Sequence, residues 1–403
     1  MLIIEHLNLN ECEKKGRKVM KEIIKMCFKK IDYVIIITMT ILICIGLYCV
    51  QQAFMLSDNQ DSIIMKQLVG VCIGFALIIG IVLIDYHIIC KFSSLLYIIM
   101  ILTLAYTLIF GAEWNNVKRW VVIFGIQIQP SELAKVVLIV FLTFLCNLFR
   151  NKLNKLYVLF ILGAAVGLPM VLILLEPHLS SSLAIMFIFC VIVYSSGISY
   201  KVIGKALIII LPLVASIVIS VGVFNLDLPL IKGYQIRRIL SFKSNDESES
   251  LAGDYQQLQS LAAISSGGLQ GKMLSTDDNE NRNYSRIYAK ESDFVFAIVG
   301  EEFGFIGSFF IIMLYAVLIF RCILISTRST DYMGKLICIG VSGYLMFQIF
   351  VNIGVATKIL PNTGLPLPFI SNGLTSLISS MMAVGLVLNV GIRQKNKSVN
   401  IKM

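Results

Sequence analysis

The residues able to do chemistry in this chain are few, and they sit at the edges of long apolar runs. Asp293 stands just before one run, Glu132 and Lys135 lie three apart at the start of another, and Glu176 and His178 share the short motif EPHLSSS. Glu301 and Glu302 follow Asp293 by eight and nine residues, Lys358 closes a further run, and Arg119, Arg237 and Arg238 lie in polar connections. A carboxylate at a helix N-terminus is held ionised, which suits a proton acceptor at neutral pH. Ser292 or Asp293 equally fits an ordinary N-cap. Glu132 and Lys135 either face a polar interior or simply pair with each other at i, i+3. His178 fits a ligand, a proton carrier or a turn residue, and taken alone it reads as a turn residue. Arg237 and Arg238, in YQIRRILSF, suit a phosphate and equally a lipid headgroup. The ten cysteines contain no CxxC pair and mostly lie inside apolar runs. They read as small core residues, so no metal site or disulfide framework is expected from them.

The elements that must position these groups are membrane helices. The chain has 403 residues, 57% hydrophobic and 14% charged, with a mean hydropathy of +0.85. A set of soluble domains is excluded by that composition. Runs without Asp, Glu, Lys or Arg extend over Tyr33 to Ser57, Phe92 to Ala112, Leu156 to Leu175, Leu179 to Tyr200, Ala206 to Leu226 and Leu336 to Thr357. Each is near the roughly 20 residues a helix needs to cross hydrocarbon, whereas barrel strands are short and alternate. Gln67 to Ile84, Ser131 to Phe149, Phe294 to Phe320 and Ile370 to Ile392 complete an all-α expectation of ten transmembrane helices.

Ten spans place both termini on one side. Residues 1–32 carry eight Lys/Arg, so the positive-inside rule makes both termini cytoplasmic. The segments then assigned inside hold 21 Lys/Arg, and the short outside loops four: Lys66, Lys118, Arg119 and Lys358. The extension 1–32 also has apolar residues on one helical face against lysines on the other, as an interfacial helix on an anionic membrane would; a bare topology signal fits as well. The net charge of +10 needs no nucleic acid to explain it. The membrane domain is expected over 33–393, with a cytoplasmic tail at 394–403.

One connection, 227–292 between spans seven and eight, is a large extracytoplasmic loop. Within it Tyr255 to Leu269 is spaced like a short amphipathic helix stopped by Gly267 and Gly268. On this topology the unusual residues gather at the outer face: Glu132, Lys135, Glu176, His178, Asp293, Glu301, Glu302 and Lys358. Pro361, Pro366 and Pro368 break the chain at the entry to span ten. The inner ends show only Asp85 and scattered Lys/Arg. A charge inside a membrane segment costs about 2.5 to 3.5 kcal/mol on insertion scales, so such groups face a cavity and pair there. The depth of Glu301 and Glu302 is open, because a span starting at Phe303 leaves them at the interface.

Six motifs in order resemble the SEDS family (shape, elongation, division and sporulation), whose members include FtsW, RodA and SpoVE. They are KRWVVIFGIQIQPSELAK at 118–135, EPHLSSSLAI at 176–185, YQIRRILSF at 234–242, YQQLQSLAAISSGGLQG at 255–271, ESDFVFAIVGEEFGFIG at 291–307 and NIGVATKILPNTGLPLPFISNGLTSL at 352–377. The resemblance covers nearly the whole chain from Asp32 to Arg393. It implies a peptidoglycan glycosyltransferase of the bacterial cytoplasmic membrane that polymerises lipid II at the outer face, serving division, elongation or sporulation. It implies that Asp293, in the motif SDF, is the general base. Glu132 and Lys135 would line the central cavity. Arg119, Lys135 and Arg237 would offset the charge of the leaving undecaprenyl pyrophosphate, with or without a divalent cation such as Mg or Mn. Glu176, His178, Lys358 and Ser371 complete the expected substrate contacts. A class B penicillin-binding protein is the expected partner, and lipid II and the nascent glycan strand the substrates.

The chain departs from the family pattern in places. His178 stands where an Asp is usual, Ser180 and Ser181 replace a Gly-Thr pair, Asn372 replaces a Tyr and Leu374 a Gly. These changes leave the base in place and alter its surroundings. Two other function classes fit the residues: a transporter moving a lipid-linked precursor, and a scaffold of the cell-wall machinery with weakened activity. Bare inner helix ends argue against alternating access.

Overall fold

The computed structural model describes residues 30–55, 60–114, 117–123, 126–202, 204–205, 251–273 and 282–400. The interfacial helix expected in 1–32, the seventh span at 206–226, Arg237 and much of the 227–292 loop lie outside the described residues.

Apolar runs become helices because a bilayer leaves each backbone N–H and C=O no partner but its own chain. They are α1 Tyr33–Ala53, α2 Gln60–Leu83, the short α3 Tyr86–Lys91, α4 Ser93–Phe110, α5 Pro130–Leu148, α6 Leu156–Leu175, α7 Leu179–Ser195, α8 Leu251–Ser266, α9 Val295–Arg328, α10 Tyr332–Ala356 and α11 Leu374–Asn400. Among the described residues eight helices are long and apolar enough to cross a membrane, and α7 is a shorter apolar helix. The chain is therefore a polytopic helical membrane protein. The last helix runs to Asn400, into the segment expected to be a tail.

Local signals set the helix starts. Asp32 caps α1 by accepting from the Val34 N–H at 3.1 Å, and Asp331 caps α10 by accepting from Gly334. Pro130 opens α5 at its first turn, where its missing N–H costs nothing, with Glu132 beside the positive helix end. Small residues set the closest approach: Gly70 and Gly74 of α2 face Leu374 and Met381 of α11, and Gly385 faces Ile78. Large apolar side chains such as Phe160, Leu102 and Phe305 point outward, as lipid-facing surfaces require.

Between α4 and α5 the chain forms a three-stranded antiparallel sheet, β1 Ala112–Trp114, β2 Val117–Ile123 and β3 Ile126–Ile128. The all-α expectation misses it. The signal was the density of β-branched residues in VKRWVVI and IQI.

The end of the bundle away from Asp293 is not bare. Asp85 accepts from the His87 backbone N–H at 2.9 Å, and its other oxygen pairs with Arg393 at 3.2 Å. The His87 ring reaches Asp85 at 2.8 Å and Asp331 at 3.3 Å, while the Tyr86 hydroxyl donates to Asp331 at 2.9 Å. Residues scattered in sequence thus become one knot tying α2, α3, α10 and α11. Burial alone raises the Asp85 carboxyl, but the His87 hydrogen bonds and the Arg393 charge hold it below the ordinary value.

Candidate functional site

Asp293 lies in a turn, not at a helix cap. The backbone N–H groups of Ser292, Asp293 and Phe294 all point to the Ala289 carbonyl, and α9 begins at Val295 with Phe294 as an N-cap lacking a side-chain bond. The N-cap reading of Ser292 or Asp293 is therefore corrected. The carboxylate extends toward Gly364, where a Cβ would stand 2.9 Å from Oδ2. Gly364 also has a φ of 67°, a left-handed backbone that glycine adopts without strain.

Two bonds tie this turn to the proline-rich segment before α11, and a third holds that segment to itself. Ser371 Oγ donates to the Ser292 carbonyl at 2.6 Å and accepts from the Leu367 N–H at 2.8 Å. The Asn372 N–H donates to the Glu291 carbonyl at 2.7 Å. Asn352 of α10 then donates to the carbonyls of Asp293 at 3.0 Å and Leu365 at 2.7 Å. Ser371, expected among the substrate contacts, is buried and holds the Asp293 turn.

One turn further along α10, Gln348 donates to Glu132 Oε2 at 3.3 Å. Glu132 Oε1 meets Lys135 Nζ at 2.6 Å, with both side chains buried. Lys135 lies 5.9 Å from the centre of the Tyr344 ring, whose hydroxyl contacts Ser379 and Ser380 of α11. The pairing reading of Glu132 and Lys135 holds, and so does their interior position.

The turn between α6 and α7 adds Glu176 and His178, both buried. Arg119, on β2, donates from Nε to the Glu176 carbonyl at 3.0 Å and from Nη2 to the Pro177 carbonyl. Ser180 donates to the Thr363 carbonyl, joining this turn to the proline-rich segment. Burial pushes the Glu176 carboxyl up to about 8, with Arg119 pulling it back. Burial, then the positive Arg119 and Lys135, hold His178 well below its ordinary value, so its imidazole is neutral. Both Glu176 carboxyl oxygens and His178 Nδ1 are buried without a hydrogen-bond partner among the described residues.

Glu301 and Glu302 go elsewhere. Glu301 accepts from Lys272, Ser266, Asn283 and Tyr284, and Glu302 pairs with Arg282 at 3.1 Å. Lys358 is half-buried just beyond α10 with a φ of 56°, and among the described residues it forms no ion pair. Neither set joins the Asp293 group. The residues that inspection for charges overlooked are Tyr344, Gln348 and Asn352. They recur every fourth position along α10, a polar stripe in an otherwise apolar span.

Among the described residues no group of three or more His, Cys, Asp or Glu is placed to hold a metal ion. Mg is commonly held by one or two carboxylates together with substrate phosphates, which needs no such group.

The fold and this interlocked polar end define a multi-pass membrane protein with its ionisable groups assembled between helices. A family model described as a cell cycle protein, FtsW/RodA/SpoVE, matches residues 30–396. The chain belongs to that family. It is 36% identical over 299 residues to a probable peptidoglycan glycosyltransferase FtsW of Enterococcus hirae, covering 72% of this chain and 73% of that one. Stage V sporulation protein E of Bacillus subtilis is 30% identical over 377 residues, covering 89% of this chain and 96% of its own length. A chain of a peptidoglycan synthase complex, solved for the structural coordination of polymerization and crosslinking, superimposes with a TM-score of 0.74 at 26% identity. That match covers 90% of this chain and 98% of the other. The rod shape determining protein RodA of Thermus thermophilus shares the fold, with a TM-score of 0.62 at 24% identity over 90% of this chain and 96% of its own.

Proposed function

We propose that this protein is a peptidoglycan glycosyltransferase that polymerises lipid II at the outer face of the cytoplasmic membrane, with Asp293 as general base. The observation that carries the reading is the placement of the Asp293 carboxylate against Gly364, in a turn held by Ser371, Asn372 and Asn352. The geometry supports a base positioned by backbone bonds.

In the reaction the 4-hydroxyl oxygen of the acceptor sugar forms a bond to the anomeric carbon of the donor strand. The hydroxyl proton passes to the Asp293 carboxylate. The bond from the anomeric carbon to the pyrophosphate oxygen breaks, and undecaprenyl pyrophosphate leaves with the electron pair. Arg119 and Arg237 are the cations assigned to that leaving charge. Lys135 is paired with Glu132 and contributes to the interior polarity of the site.

The relatives named peptidoglycan glycosyltransferase and the match to a synthase complex support the activity, and the latter supports a transpeptidase partner of the class B penicillin-binding type. The positive-inside count supports cytoplasmic termini. Asp293→Asn in purified protein with its partner and labelled lipid II tests the assignment. Lost glycan chain formation by a folded variant is expected, and unchanged polymerisation removes Asp293 as base. Lipid II movement by the unaltered protein with its partner but without glycan chain formation favours the transport reading instead.

A further inference from the structure

The helix that follows Asp293 is two helices. At Gly304 the backbone takes φ 65° and ψ −163°, a conformation reserved for glycine. The segment 267–273 is inserted at this break. Lys272 and Met273 donate their N–H groups to the Glu301 and Glu302 carbonyls at 3.0 and 2.9 Å, and Phe305 and Ile306 donate to the Gly268 and Leu269 carbonyls at 2.9 and 3.2 Å. The backbone groups freed by the break are thus paired to another part of the chain. Gly271 and Gly304 touch through their backbones, and Gly267 lies on the Gly300 carbonyl, where no Cβ fits.

Length supports the division. Phe305 to Arg328 is a run of 24 residues, about 36 Å of helix, which covers the roughly 30 Å hydrocarbon core alone. Residues 294–302 are buried, whereas Phe305, Ile306, Phe309 and Phe310 are exposed and apolar. The first segment is therefore an internal strut and the second the membrane span.

The strut is pinned at both ends. At one end Asn352, Ser371 and Asn372 hold the Asp293 turn. At the other, Glu301, fully buried, accepts from Lys272 Nζ at 2.7 Å, Ser266 Oγ at 3.0 Å, Asn283 N at 3.0 Å and Tyr284 N at 2.9 Å. The four donors come from two described stretches, 266–273 and 282–284. The Gly304 break removes the stiffness a continuous helix would lend the strut, so its far end is held by the backbone bonds at the break and by the Glu301 carboxylate.

We propose that Glu301 is a positioning residue for Asp293, acting through the strut 294–303 and through the described residues 266–273 and 282–284 that it gathers. This rests on the reading of Asp293 as general base. Without the Glu301 charge the strut moves along its axis, and the carboxylate leaves its place over Gly364.

The test is steady-state polymerisation of labelled lipid II by the full chain with its transpeptidase partner. Glu301→Gln is expected to lower kcat at least tenfold with KM within twofold, and Glu301→Asp to recover part of the loss. Lys272→Met, a milder cut at the same clamp, is expected to lower kcat about threefold and serves if Glu301→Gln fails to fold. Asp293→Glu lengthens the base by one methylene group. Its loss is expected to shrink in the Glu301→Gln background, because a displaced base has no register left to lose. Full kcat in both clamp variants, a change confined to KM, or independent multiplication of the Asp293→Glu and Glu301→Gln losses overturns the proposal. Full activity of Asp293→Asn instead overturns the general-base reading, a separate failure.

Discussion

Glu132 and Lys135 meet at 2.6 Å inside the bundle, one turn apart on α5, with neither side chain reaching solvent. Gln348 adds a hydrogen bond to the free side of the carboxylate at 3.3 Å. A buried pair of this kind is costly to break from one side, since the remaining charge has no partner. Glu132→Ala is therefore expected to lower stability by about 3–5 kcal/mol. The double change Glu132→Met with Lys135→Met is expected to recover most of that loss. Thermal unfolding of the detergent-purified protein reads both, and a double variant less stable than the single one would refute the account.

Asn352 reaches the Asp293 and Leu365 carbonyls with one amide. Replacement by Leu removes both bonds and leaves one buried and one part-buried acceptor, a loss of about 1–3 kcal/mol for the buried one. The expected result is a kcat at least tenfold lower with near-normal lipid II binding. Equal activity of Asn352→Leu would show that the Asp293 turn holds its place without α10.

Glu176 predicts a pH dependence. Burial, opposed by Arg119, raises its carboxyl from an ordinary 4.5 to about 8, so folding favours the protonated acid. Its contribution is complete below the ordinary value and is lost as the pH rises through about 8. Glu176→Gln, which copies the protonated shape, is expected to abolish that alkaline loss of melting temperature. His178 works in the other direction: its neutral form is favoured, so its contribution is lost as pH falls below the ordinary histidine value. The acid-side loss is expected to remain in Glu176→Gln, and melting curves across both limbs check the two signs.

Gly304 and Gly163 form a matched contrast. An Ala at 304 meets a positive φ and the backbone of Gly271 and Gln270, whereas a Cβ at 163 meets nothing within 4 Å. Gly304→Ala is expected to cost about 1–3 kcal/mol or more. Gly163→Ala in α6 is expected to be neutral or stabilising by up to about 1 kcal/mol. Paired unfolding measurements decide, and similar values for the two would mean the break at Gly304 is not required.

How much of this was legible before the structure varies by element. The apolar runs marked the described spans because crossing hydrocarbon demands uncharged length, and α8 was visible from its spacing and its glycine stop. The EEFGFIG stretch read either as part of a span from Phe294 or as the lead-in to a span from Phe303, and a glycine inside a helical pattern gave no sign of a break. Only the insertion of 267–273, hydrogen-bonded to both sides of Gly304, makes the break. The polar stripe of Tyr344, Gln348 and Asn352 was present in the letters, but uncharged residues in a span raise no alarm until their partners are known.

By itself, the order of residues determined that this chain lives in a membrane and which carboxylates and cations were candidates, because burial in hydrocarbon is a local requirement on composition. Which of them act together was decided by tertiary packing. It set Asp293 over Gly364 and sent Glu301 and Glu302 to residues 266–273 and 282–284. It also drew Asp85, His87, Asp331 and Arg393 into one knot at the opposite end. Hydrogen bonds and ion pairs act over about 3 Å, and residues hundreds of positions apart reach that distance only when the helices have packed.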